Sequence, residues 1–431
     1  MRSRNRVVAL ATSALLLGAL TACGTNLQAD KGDDAASLVY WGKWAEGTPQ
    51  ATLFESIIAD YKKETGVEVE VQWLGDGEEE QVKNAIATGE GPDFYDTAID
   101  HTAQFRAAGA LGDMAPFFDA EIPGEDKTIG DVIPESVIGA ISDDEGPGFV
   151  PHSVFSVGLW FDAAAQPELD SAPPKTFADF LSAAQKIKAS SGHQPIALDG
   201  TINSYNAFWT YQLLLSTAGP GVILDLADDP DAWQDPAVRE GLDALQQLVD
   251  ADLFQPDYMA TKFPDAQNAW AGGEHAFNLN GTWLASETAP VRADGIQPRI
   301  MALPPVTATE DQVVTIGALG WGVNPDSKNQ DEVAEFLGFA MQKKYIDRIA
   351  TDADNIPSRI DSPAPEALAT IQQQIADATS SSLDFDGIAT VNPEWWNDVF
   401  LPLNDKLIGG SLTVDQFVAE GADQTRTLAG E

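Results

Sequence analysis

A single cysteine, Cys23, occurs among the 431 residues, so no disulfide can close within the chain. Its place at the edge of an N-terminal apolar segment also leaves the folded part without a catalytic thiol. Basic residues are scarce: 24 Lys and Arg stand against 67 Asp and Glu, a formal net charge of -43. That excludes an ordinary nucleic-acid binder, which needs a basic surface to replace the counterions condensed on phosphates. On an exported protein such acidity serves solubility and self-repulsion, and it argues mildly against anionic ligands. The four histidines, His101, His152, His193 and His275, show no metal-ligand spacing, so neither a metal nor a cofactor is expected. The sequence contains no Gly-x-Ser-x-Gly elbow, no His-Glu-x-x-His pair and no phosphate-cradling Gly-rich loop. Beyond the first residues no stretch is long and apolar enough to span a bilayer.

What is present begins with Arg2, Arg4 and Arg6 ahead of an apolar run from Val7 to Leu20. A basic start followed by a short apolar stretch reads as a signal peptide over residues 1–22. It ends in Leu20-Thr21-Ala22-Cys23-Gly24, which resembles the lipobox of bacterial lipoproteins. The resemblance implies that Cys23 receives a lipid and holds the protein to the outer face of the cell membrane. Residues 23–36 are polar and without apolar periodicity, and read as a flexible tether.

The remaining chain, 44% hydrophobic overall, is long enough for two domains with real cores. Leu38-Val39-Tyr40-Trp41 predicts a short strand, and Leu53, Phe54, Ile57, Ile58 and Tyr61 recur at helical spacing until Gly66. Val67-Glu68-Val69-Glu70-Val71 alternates with period two, which makes the unit β-α-β. Val82, Ala85 and Ile86 mark another helix, opened by Glu78, Glu79 and Glu80, where carboxylates suit the positive end of the helix dipole. Thr176 with Asp179 resembles a capping box ahead of Phe177, Phe180, Leu181, Ala184 and Ile187, and Val333, Phe336, Leu337, Ala340 and Met341 repeat the pattern. Such alternation gives an α/β fold, an open sheet with helices on both faces, and the length implies two of them.

In chain order the sequence carries Tyr40-Trp41-Gly42-Lys43-Trp44, Gly89-Glu90-Gly91-Pro92-Asp93-Phe94, Ala108 to Met114, Val150-Pro151, and Gly158 to Asp162. Pro173 to Phe180, Gly273 to Trp283, Leu303-Pro304, Gly317 to Val323 and Ile356-Pro357-Ser358-Arg359 follow. In this register and behind a lipobox they resemble the family 1 extracellular solute-binding proteins, the group that includes maltose-binding protein. The resemblance implies a periplasmic-binding-protein-like fold of type II, two α/β lobes joined by a multi-segment hinge with the ligand between them. Lobe 1 would comprise 37–150 and 319–360, and lobe 2 would comprise 151–318 and 361–431. The crossings would fall near Phe149–Ser153, Val314–Leu319 and Ile356–Ser362. The resemblance further implies a monomer that serves the permease of an ABC importer and binds a carbohydrate, without catalysis.

A sugar ring offers an apolar C–H face and a hydroxyl rim, so a good site combines flat aromatics with polar partners. Aromatics stand where cleft loops are expected: Trp41 and Trp44 after the first strand; Tyr205, Phe208 and Trp209 in an Asn-rich run; Trp283 after Asn280-Gly281; Trp321 in a Gly-rich loop; and Trp395-Trp396 after Asn392-Pro393. Either core or ligand is open to most of them. Trp283, and one of Trp395 and Trp396, match aromatics that stack on sugar in relatives. Trp160 and Trp270 lie in strand and helix patterns and read as core. Among polar groups, Asp100 and His101 occupy the loop where relatives place sugar-hydroxyl partners, and Arg359 matches the Pro-x-Arg position, which either binds ligand or ties the third hinge. The sequence departs from the family at Phe161-Asp162, commonly Tyr-Asn, and at Ala318-Leu319, often Gly-Gly or Gly-Ser. Family members also take polyols, glycerol phosphates, iron and small cations. An exported glycosidase is the competing class, but with 67 acidic residues candidate carboxylate pairs always exist and decide nothing.

Overall fold

A computed structural model describes residues 37–75, 77–307 and 313–430. The signal-peptide, tether and Cys23 expectations fall outside these residues.

The first unit forms as its sequence dictates. The strand Ser37–Gly42 leads to the helix Pro49–Thr65, which starts where the Thr48 hydroxyl accepts from the Ala51 amide and Pro49 supplies a preset φ. The helix stops at Gly66, whose φ of 80° is the left-handed cap that lacks a Cβ penalty. Glu68–Trp73 then returns parallel to the first strand, with Tyr40 beside Val71. The helix buries Leu53, Phe54, Ile57, Ile58 and Tyr61 against this layer.

The large sheet has six strands in the order Ile356–Pro357, Val150–Phe155, Gly317–Val323, Phe94–Ala98, Ser37–Gly42, Glu68–Trp73. Its last three strands are parallel, so their carboxyl ends, at Ala98, Gly42 and Trp73, share one edge. The second sheet has only three strands, Phe277–Gly281, Val157–Asp162 and Pro298–Met301, all antiparallel. Its surroundings are mainly helical: Phe177–Ser191, Asn203–Ala218, Pro236–Asp250, Leu401–Ile408 and Val414–Ala429. Sequence periodicity predicts two similar open sheets. The second is smaller because Asn203–Ala218 buries residues all round, from Phe208 and Trp209 to Leu213, Leu214 and Leu215, and so acts as a core helix in place of further strands.

The molecule is an α/β protein of two lobes, and its buried apolar residues form two clusters, the first of which also takes in Trp160, Trp270 and Ile300 from the small sheet and its surroundings. The chain leaves the large sheet at Phe155 and enters the small one at Val157, so the two meet at Ser156. It returns through Val313–Thr315 and Gly317–Val323, on either side of Ile316. These two crossings are tied together, since Ser156 Oγ donates to the Thr315 carbonyl at 2.7 Å and the Val157 amide donates to Thr315 Oγ1 at 3.3 Å. A third passage follows Ile356–Pro357, and its strand Ser380–Ser382 pairs parallel to Val313–Thr315.

Candidate functional site

The shared carboxyl edge of the parallel strands is where side chains can be offered to a ligand without breaking the sheet. Trp41 ends the first strand and Lys43 and Trp44 follow it; both indoles are half-buried, and neither indole N–H has a hydrogen-bond partner. Asp100 and His101 stand in the short turn after Phe94–Ala98. His101 Nδ1 lies 3.3 Å from Glu79, and its Nε2 lies 3.6 Å from Asp100. Beneath them Asp96 is buried, accepting from the Tyr40 hydroxyl at 2.7 Å and from the Lys43 amide at 3.0 Å. His152 Nε2, without a hydrogen-bond partner, is 3.8 Å from the same carboxylate. Burial, reinforced by the Asp96 carboxylate, pushes the Tyr40 phenol well above its ordinary value.

Glu78 departs most from its sequence reading as a solvated helix opener. It is buried with both carboxylate oxygens unpartnered, and burial, then Asp96 and Glu79, push it up to about 9. Glu80 does behave as a surface acid, paired to Lys83 at 2.6 Å.

The opposite wall comes from the smaller sheet and its helices. Trp283 follows the strand Phe277–Gly281, and its ring packs on Gly281 so closely that a Cβ there would meet it at 2.1 Å. Tyr205, in the first turn of Asn203–Ala218, is its neighbour: burial and Glu287 raise the Tyr205 phenol, while a hydrogen bond from Trp283 acts the other way. Asp384 lies beyond the strand Ser380–Ser382 with Oδ1 unpartnered. Burial, with Asp100 from the first wall adding to it, pushes the Asp384 carboxyl up to about 7. The Asp384–Asp100 interaction and the contact of Phe155 with Trp283, at 6.1 Å between centroids, link the walls.

Of the sequence candidates, Trp41, Trp44, Asp100 and His101 thus stand at the carboxyl edge of the large sheet, and Tyr205 and Trp283 neighbour each other beside the small one. It places other candidates in the interior, and these are corrections. Trp209 packs between Phe180 and Phe254, and Trp321 lies against His152 and Phe54. Trp395 does not end a loop but begins a helix, where Asn392 caps its amide and its indole N–H donates to Thr425 Oγ1 at 2.8 Å. Trp396 stacks on Phe400 at 5.1 Å, so neither indole reaches a cleft. Asn280 is buried too, and with Asp199, Asn206 and Gln267 it lines a small recess of about 10 Å³, room for roughly a single water. Arg359 is a tie. It is fully buried, donating to Glu125 at 2.7 Å, to Asp361 at 2.8 Å and to the Met341 carbonyl at 2.7 Å. The reason is common to all: a Trp or Arg is recognised by type in sequence, whereas the side of the element it occupies depends on what packs there. Trp160 and Trp270 are core, edge to face at 5.9 Å, as the strand and helix patterns predict. Sequence reasoning passes over Asp96, His152, Phe155 and Asp384. Only Asp96, in the strand that leads to Asp100, carries a signal by position.

A larger recess, of about 670 Å³, lies beside the crossing strands and is lined by Pro174, Leu215, Met301, Leu303, Pro305 and Val314, among others. None of its lining residues carries an unpartnered buried polar atom, in contrast to the edge around Trp41 and Glu78.

The profile of the family described as "bacterial extracellular solute-binding protein" matches residues 44–346. The chain belongs to that family. Among solute-binding relatives, it is 25% identical over 373 residues to a probable sugar-binding periplasmic protein of Mesorhizobium japonicum, covering 84% of this chain and 85% of that one. It is 24% identical over 376 residues to a diacetylchitobiose-binding protein of Streptomyces coelicolor, covering 83% and 82%. Ligand-free RafE from Streptococcus pneumoniae superposes with a TM-score of 0.73 at 16% identity, over 93% of this chain and 100% of that one. A cyclo/maltodextrin-binding protein complexed with maltotetraose gives 0.69 at 17%, over 93% and 98%. These likenesses fix the two-lobe solute-binding fold.

Proposed function

We propose that this solute-binding protein is the extracytoplasmic receptor of an ABC importer, that it captures a carbohydrate, an oligosaccharide, between its lobes, and that it delivers it to the permease unchanged. The observation that carries the reading is the collection of unpartnered buried polar atoms at the meeting of the lobes: the indole N–H groups of Trp41 and Trp44, both oxygens of Glu78, His152 Nε2 and Asp384 Oδ1. A native protein leaves few buried polar groups unsatisfied, so such a concentration is chemistry waiting for a partner. Flat indoles beside donors and acceptors suit a sugar ring, with its C–H face and hydroxyl rim. The relatives' names, a sugar-binding and a diacetylchitobiose-binding protein, support the same class.

In this reading Ser156 and Ile316 are the pivots, and closure of the lobes is a hinge motion that buries Trp283 and Tyr205 against ligand held by Trp41 and Trp44. Cys23 carries the lipid that keeps the domain at the membrane, and the protein works as a monomer.

Thermal melting against a panel of mono- and oligosaccharides tests the reading. A ligand at about 100 times its Kd adds about 2.7 kcal/mol to the stability of the folded state. A binder raises the midpoint and returns the sugar chemically intact. A midpoint raised only by a polyol or other non-sugar, or a sugar recovered cleaved, refutes it.

A further inference from the structure

Glu78 opens the helix Glu78–Thr88 beside the carboxyl edge of the large sheet and is 1% exposed, yet neither carboxylate oxygen has a hydrogen-bond partner. The charged groups that bear on it come from every element around it: Asp96 from the strand Phe94–Ala98, Glu79 from its own helix, and Lys43 from the loop after the first strand. Tyr40 and Tyr95, on the two neighbouring strands, feel its charge in turn. Of these only Lys43 offsets the acids, one cation against Glu78, Glu79 and Asp96. Across the cleft Asp384 adds a carboxyl with an unpartnered oxygen, within reach of the Asp100 charge. Acids thus come from both lobes. Among the described residues no group of three or more His, Cys, Asp or Glu is placed to hold a metal ion.

A sugar hydroxyl can share a hydrogen bond with such a carboxyl but does nothing to favour its ionised form beside Asp96 and Glu79. An ammonium does, through charge-assisted hydrogen bonds about twice as strong as neutral ones, and indole faces add cation–π attraction. A uronate or sugar phosphate would add like charge to a site already rich in acids. We propose, building on the carbohydrate reading, that the cleft selects an amine-bearing sugar, with its ammonium seated at Glu78 beside Asp96 and its ring against Trp41 and Trp44.

The proposal predicts a proton exchange. Burial keeps the Glu78 carboxyl up to about 9, so it is a neutral acid near pH 7 in the ligand-free protein. An ammonium placed beside it favours the carboxylate, and the proton leaves to solvent as ligand binds. Below the amine's own pKa, affinity then rises by about tenfold per pH unit.

Calorimetric titration of the full chain tests this with glucosamine and galactosamine, as monomers and oligomers, each paired with its N-acetylated form and with the unsubstituted sugar. The expected result is that an amine form binds at least about tenfold more tightly than its paired forms. Its observed heat should depend on the buffer's ionisation enthalpy in the sense of proton release, and Glu78→Gln should abolish both the preference and the release. If the acetylated or unsubstituted forms bind as tightly as the amine, or bind without it, the amine inference is overturned while the carbohydrate reading stands. Amine binding with no proton release in the wild-type protein overturns the role of Glu78 without relying on the variant. If no sugar in this panel binds, the amine inference falls, while the broader melting panel decides the carbohydrate reading.

Discussion

Phe155 and Trp283 meet edge to face with ring centroids 6.1 Å apart, Phe155 lying on Gly317 of the neighbouring strand and Trp283 on Gly281 two residues before it. A Cβ on Gly317 would come within 1.8 Å of the Phe155 ring, and one on Gly281 within 2.1 Å of Trp283. Two aromatics, one ending the strand Val150–Phe155 and one just after the strand Phe277–Gly281, are thus seated by the absence of side chains beneath them. Gly281→Ala should unseat Trp283 and weaken ligand binding without touching ligand itself. Comparison of Kd with the wild type checks this.

Trp283→Ala removes an indole that is half-buried in the ligand-free protein. The expected loss is about 2 kcal/mol or more of binding free energy, roughly thirtyfold in Kd, as for other hot-spot aromatics. The melting temperature without ligand should move little. Normal binding combined with an early melt would make Trp283 structural.

Trp160→Ala supplies the contrast. Its ring is fully buried against Trp270 and its indole N–H donates to the Gly281 carbonyl at 3.0 Å. Its truncation should cost about 3 to 5 kcal/mol of stability, read by denaturant unfolding, with or without ligand.

Arg359→Ala strands two acids that the guanidinium holds together. Glu125 and Asp361 keep some solvent access, so the loss should lie near the lower end of the buried-pair range, about 3 kcal/mol. The Arg359 hydrogen bond holds the Asp361 carboxyl well below the usual carboxylate range. A depressed acid stabilises the fold at pH values above its unfolded pKa of about 4, and that contribution is lost as the pH falls toward the folded value. In unfolding curves below pH 4 the variant should therefore lose less than the wild type.

Glu78 and Asp384 have the opposite sign. Their folded carboxyls are raised, to about 9 and about 7, so the native state binds more protons than the unfolded chain above about pH 4. Stability should decline as pH rises from 5 toward 8. Below about pH 7 both groups contribute, so Asp384→Asn and Glu78→Gln should each flatten that decline in part, whereas above it only Glu78→Gln should flatten what continues. Melting temperatures of the three proteins across this range decide the matter.

Cys23→Ser should free the protein from the membrane fraction and leave ligand affinity unchanged, because the tether precedes the first strand of the fold. Retention of the mutant with membranes would defeat the lipid-anchor proposal.

Local chemistry made much of the first lobe legible. Thr48, Pro49 and Gly66 bound a helix by hydrogen bonding and backbone preference alone, and Val67 to Val71 alternate because one face of that strand is buried. Such signals act within a few residues, so the β-α-β unit could be read directly. What the sequence could not settle was which member of a residue class faces which way. Trp283 and Trp395 both follow an Asn in a loop-like context, but Trp283 lies over a glycine at the cleft while Trp395 is drawn into the interior by Thr425, 30 residues away. Glu78, Glu79 and Glu80 are equivalent as helix openers. Only tertiary packing buries the first, pairs the second with His101 and leaves the third to Lys83, because burial is set by distant strands and its cost depends on the charges they bring.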